Sequence, residues 1–112
     1  MTAKKLPVMI ESPYRGDHER NLRYLRAAIA DSLMRDEAPF AMHGFYPQFL
    51  SDDIPWQRQL GIDCGLAWMR RAEYVVFYTD LGVTEGMVEA QDFCRERGLR
   101  MEYRSLESWR VP

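Results

Sequence analysis

Five consecutive residues, Tyr74 to Tyr78 (YVVFY), are all β-branched or aromatic, and none is a polar side chain that could face water on alternate positions. A strand of this kind is buried on both faces, which is the condition of a strand inside a helix-covered sheet. The run continues through a Gly-containing turn (TDLGVT) into a segment with Glu85 and Glu89 near its start. Strand, turn and helix here form one unit of an alternating pattern.

The rest of the chain repeats that alternation. Leu6 to Glu11 holds the run PVMI and closes at Ser12-Pro13, which predicts a first buried strand. From Asp17 onward Leu22, Leu25, Ile29 and Leu33 recur at helical spacing, with Ala28 and Ser32 on the same side. Residues 39–43 (PFAMH) read as a second strand, residues 45–53 as a loop or short helical turn, and residues 55–71 as a second helix. Asp53 is its expected capping acid, and Pro55 fits the first turn. The third helix has Thr84 as its expected cap, Met87, Ala90 and Cys94 as its buried stripe and Gly98 as its stop. Residues 100–103 (RMEY) make a last strand, and residues 105–112, with Trp109, form a tail expected to pack on a neighbour.

Strands alternating with helices predict a three-layer α/β fold of Rossmann or flavodoxin-like type, with a mostly parallel four-stranded sheet of order 2-1-3-4. At 112 residues the chain is sized for one domain, residues 1–112. In such sheets ligands bind beyond the carboxyl ends of the strands where strand order reverses, here between the first and third. Two loops are thereby nominated, residues 12–17 and 79–84.

Composition narrows the function classes. A content of 46% hydrophobic and 29% charged residues suits an ordinary globular protein, and a net charge of −2 argues against broad nucleic-acid binding, which needs a clustered basic surface. No apolar run is long enough to span a bilayer or serve as a signal peptide, so the expectation is a cytoplasmic protein with no membrane partner. Cys64 and Cys94 lack metal-site spacing and read as small core residues, and no metal or other cofactor is expected.

Several residues invite a chemical role. Ser12, Tyr14, Arg15 and Gly16 (ESPYRGD) put a hydroxyl, a ring, a guanidinium and backbone N–H groups at the end of a buried strand, a set suited to a phosphate or a sugar. Their competing reading is an ordinary turn. Asp63 sits between Gly61 and Gly65 with Trp56, Leu60 and Ala67 at helical spacing, an apolar setting for a carboxylate. The two glycines read first as a flat face for close packing. Asp80 directly follows the strongest strand, and His43 ends the second. Glu85 is accounted for by the positive end of the helix dipole, whereas Glu89 lies beyond the first turn and is not.

Taken in order, VMIESPYRG, an Asp-bearing helix, AEYVVFY, LGV and a helical glutamate resemble the nucleoside 2-deoxyribosyltransferase-like superfamily, including its small nucleotide N-glycosidase branch. The chain is also similar to uncharacterised small Rossmann-like proteins of phages and actinobacteria. The resemblance implies cleavage or exchange at an N-glycosidic bond, with Glu89 as nucleophile and Glu85 as its neighbour. It implies Asp63 or Asp80 as the group that protonates the leaving base or orients the sugar, and Ser12, Arg15 and Gly16 around a 5′-phosphate. Tyr14 or Phe45 would stack on the base, and His43, by its place at a strand's carboxyl end, is expected at the pocket rim. The implied partner is a small nucleoside or nucleotide, in a homo-oligomer that could complete the pocket. The alternative is a non-catalytic module of the same fold that senses or sequesters a nucleotide.

Overall fold

Side chains alternate across a strand, so a strand apolar at every position supplies two cores at once. In the computed structural model, which describes residues 4–106 and Trp109, β3 (Tyr74–Tyr78) does this: every residue of it is buried. Tyr74, Val76 and Tyr78 join Val8 and Ile10 of β1 (Leu6–Glu11) under α1 (His18–Leu33). Val75 and Phe77 join Met9 beneath α2 (Pro55–Met69) and α3 (Glu85–Arg97). Each large apolar side chain removed from water in this way contributes roughly 1.5–3 kcal/mol.

The sheet is completed by β2 (Glu37–Phe40) and β4 (Met101–Arg104), and its order is β2-β1-β3-β4 with every pairing parallel. This is the three-layer architecture expected from the alternation. Caps follow the expected chemistry at two helices. Asp17 accepts a hydrogen bond from the Arg20 N–H at 3.1 Å, and Thr84 Oγ1 accepts one from Met87 N–H at 3.3 Å. Gly98, at φ 65°, ends α3 in the left-handed conformation.

Other boundaries differ. β2 begins at Glu37 and ends at Phe40, and the chain then leaves the sheet through two short 3-10 turns, Met42–Gly44 and Tyr46–Gln48. A left-handed Asp36 (φ 59°) sets that earlier start, and Glu37 sits opposite Leu6. Asp53 does not cap α2: the N-cap position is Ile54, without a side-chain hydrogen bond. Leu22 and Leu33 are exposed, because α1 buries Asn21, Tyr24, Leu25, Ala28 and Ser32 instead. β4 lies one residue later than its sequence suggested. Within the tail, Trp109 packs edge-on against Tyr24 of its own chain, ring centroids 4.9 Å apart. Residues 107, 108 and 110–112 lie outside the described residues. Among the described residues no helix is long and apolar enough to cross a membrane.

Candidate functional site

The reversal of strand order between β1 and β3 opens a cleft on the side of the sheet that carries α2 and α3, with a volume of about 560 Å³. Tyr14 and Arg15 from the loop after β1 form one wall. Met42, His43 and Tyr46 from the 3-10 turns, with Arg58, Gly61 and Ile62 of α2, form another. The third is α3 with its cap Thr84, as far as Glu96.

Local chemistry fixes each wall. The buried Asn21 donates through Nδ2 to the carbonyls of Tyr14 and Arg15, both at 3.0 Å, tying the first loop to α1. Gly16, at φ 101°, turns the chain where an L side chain would be strained. Tyr14 then stacks on His18 (4.8 Å between centroids) and on His43 (4.7 Å, rings 10° apart). Met42 lies against Gly65, where a Cβ would meet its Sδ at 2.0 Å, so the glycine serves close packing and not a ligand. Burial holds His43 well below its ordinary range, at about 4, against an opposing pull from Asp52, so the ring is neutral at pH 7.

Acidic groups dominate the charged part of the lining. Glu85, Glu89, Asp92 and Glu96 recur at helical spacing along α3, and all four line the cleft. The dipole favours only the first of them, at the helix N-terminus. Asp52 lines it as well and is paired with Arg15 (Nε to Oδ2, 3.3 Å). Arg58 is the other cation on the wall.

Glu11 is the group that sequence reasoning missed. It ends β1 with its side chain on the Met9 and Phe77 face, is 3% exposed, and lines the cleft. Its Oε2 has no hydrogen-bond partner. Burial raises its pKa to about 8, so the carboxyl is predominantly protonated at neutral pH. The legible signal was a glutamate closing the apolar run PVMI with no polar position before it.

Among the sequence candidates, Glu89, Glu85, Tyr14, Arg15 and His43 come together on the cleft wall. The others do not. Asp63 is exposed on α2, where it accepts from Gln59 Nε2 at 2.8 Å. Asp80 is occupied on the α1 side of the sheet: it accepts from the Tyr24 hydroxyl and, at 2.9 Å, from Leu106 N–H, a structural tie between β3 and the segment after β4. Ser12 is buried off the wall with its hydroxyl unpartnered, and Gly16 also lies off it. Phe45 lies off the wall, packed against Phe40, Phe49 and the wall residue Tyr46. Among the described residues no three His, Cys, Asp or Glu side chains are grouped so as to hold a metal ion.

These features define a parallel α/β protein whose acidic, ring-walled cleft opens at the carboxyl ends of the central strands. By sequence, residues 6–104 match the family described as Domain of unknown function (DUF7768), and the chain belongs to that family. No curated protein and no solved structure matches the chain.

Proposed function

We propose that the protein acts at the N-glycosidic bond of a nucleoside or nucleotide, as a glycosidase or deoxyribosyltransferase, with Glu89 as nucleophile. The observation that carries this reading is the placement of Glu89 on the cleft wall inside the stripe of Glu85, Asp92 and Glu96. Breaking a glycosidic bond passes through a transition state with oxocarbenium character, so positive charge grows at the anomeric carbon. Carboxylates fixed beside that carbon stabilise the transition state more than the ground state, which is the condition for rate acceleration. Attack by Glu89 gives a glycosyl ester as the base departs, and water or a second base then releases the sugar. The rings of His43 and Tyr46 give the heterocycle apolar surface to pack on, His43 being held in place by its stack on Tyr14. The resemblance to the nucleoside 2-deoxyribosyltransferase-like superfamily implies this same nucleophile.

The test is incubation with a panel of 2′-deoxynucleosides and their 5′-monophosphates, followed by chromatography for free base. Base release from at least one member, abolished in Glu89→Gln, is the expected result. No release from any member sinks the enzyme reading. If a nucleoside then still raises the melting temperature, the cleft belongs to a non-catalytic binding module.

A further inference from the structure

We propose that Glu11 is the general acid of this cleft, delivering its proton to the departing base. The assignment rests on the N-glycosidic reading and deepens it, because that reading lacks a proton donor once Asp63 and Asp80 are placed outside the cleft. Glu11 reaches the cleft from the end of the central strand β1, while Glu89 reaches it from α3. Two carboxyl groups entering one cavity from different elements, one buried and one exposed, are the arrangement that separates an acid from a nucleophile.

The buried position is otherwise costly. An unpartnered carboxyl oxygen in an apolar setting forfeits its hydrogen bonds to water, and nothing in the protein returns them. A neutral carboxylic acid needs only an acceptor for its one proton, and a heterocycle nitrogen in the cleft supplies that acceptor. Burial keeps the proton on Glu11 at neutral pH, and no cation pairs with it among the described residues.

The step balances as follows. A Glu89 carboxylate oxygen bonds to the anomeric carbon as the carbon–nitrogen bond breaks, and that electron pair goes to the base nitrogen, which takes the Glu11 proton. Glu11 is left as carboxylate. When water cleaves the glycosyl ester, one of its protons returns to Glu11, its hydroxyl stays on the anomeric carbon, and Glu89 is regenerated as carboxylate.

Glu11→Gln keeps the shape and neutrality of the side chain and removes the transferable proton. The substrates to compare are 2′-deoxyguanosine and its N7-methyl derivative, whose base is already cationic and leaves as a neutral molecule. We expect Glu11→Gln to lose roughly 100-fold or more in kcat on 2′-deoxyguanosine and only a few-fold on the N7-methyl compound. Wild-type kcat on the unmethylated substrate should also fall as pH rises through about 8. Equal losses on both substrates overturn the assignment and leave the glycosidase reading standing. If the wild type cleaves neither compound, that reading fails on its own, and calorimetric titration with free adenine decides what Glu11 does. Adenine affinity that weakens through the same pH range in the wild type, and not in Glu11→Gln, supports Glu11 as the proton-bearing contact. Absent binding, or a pH response shared by both proteins, overturns it.

Discussion

Arg104, at the end of β4, holds Glu37, at the start of β2, through both terminal guanidinium nitrogens, with Nη1 to Oε1 at 2.8 Å and Nη2 to Oε2 at 2.6 Å. The pair joins the two edge strands beneath α1, and Ser32 Oγ (2.7 Å) and the Tyr74 hydroxyl donate to the same carboxylate. Burial alone would raise the Glu37 pKa, but the hydrogen bonds from Arg104, Tyr74 and Ser32 outweigh it and hold the group at about 2. Both side chains are at most 9% exposed, so solvent screening is slight.

Removing one partner strands the other charge. Arg104→Ala is expected to cost about 3–5 kcal/mol in urea denaturation, and Arg104→Met with Glu37→Leu to recover much of that loss. Because the folded pKa of Glu37 lies below its ordinary 4.5, the stabilisation is complete above that pH and is lost as pH falls toward about 2. An Arg104→Ala protein as stable as the wild type contradicts this account.

Glu11 has the opposite linkage. Its folded pKa, near 8, lies above the ordinary 4.5, so between those values the folded chain binds more protons than the unfolded one. Stability must therefore fall as pH rises across that window, with an upper bound of about 5 kcal/mol at one pKa unit per 1.36 kcal/mol. Denaturation at a series of pH values should give a negative slope in the wild type and a flattened one in Glu11→Gln. A slope unchanged by the substitution would place its origin elsewhere.

The sheet was legible because β1 and β3 are apolar at successive positions, and their caps and turns speak the same local language as their periodicity. β2 was misplaced for a physical reason: Glu37 enters a buried strand only because Ser32, Tyr74 and Arg104 satisfy it, and those partners are 5, 37 and 67 residues away. The site divides the same way. Tyr14 and Arg15 are found by asking what lies at a strand's carboxyl end, here that of β1, whereas Glu85 and Glu89 lie on the helix that follows β3, and Glu89 was singled out through the resemblance. Asp80 satisfies that rule too, yet its carboxylate is used by Tyr24 and Leu106 on the other face. Glu11 was missed since strand-end position alone does not reveal which face a side chain takes.

Gly65 and Gly86 are both helical, yet alanine should act oppositely at them. At Gly86 a Cβ meets nothing within 4 Å, so alanine is expected to stabilise by about 0.4–1 kcal/mol through the unfolded chain. At Gly65 it meets Met42 Sδ at 2.0 Å, which forces Met42 aside and should cost about 1–3 kcal/mol. In a double-mutant cycle Met42→Ala relieves that clash, so its cost in the Gly65→Ala background is smaller than in the wild type. Additive effects of the two changes would dismiss the contact as the cause.

Charge on the cleft wall should decide between nucleoside and nucleotide. Asp52, Glu85, Glu89, Asp92 and Glu96 share the wall with two arginines, Arg58 and an Arg15 already paired with Asp52, while Asp92 and Glu96 pair with Arg95 and Arg97 of α3. A 5′-phosphate adds anionic charge to this surface, and the loop expected to receive it keeps Ser12 and Gly16 off the wall. Calorimetry with Glu89→Gln, which is expected to bind without turnover, should show 2′-deoxyadenosine binding more tightly than its 5′-monophosphate. The gap should narrow as salt is raised, because ions screen the repulsion at the exposed rim and leave base contacts untouched. Tighter binding of the monophosphate, weakened by salt, would instead make Arg58 and Arg15 the phosphate anchors and the physiological ligand a nucleotide.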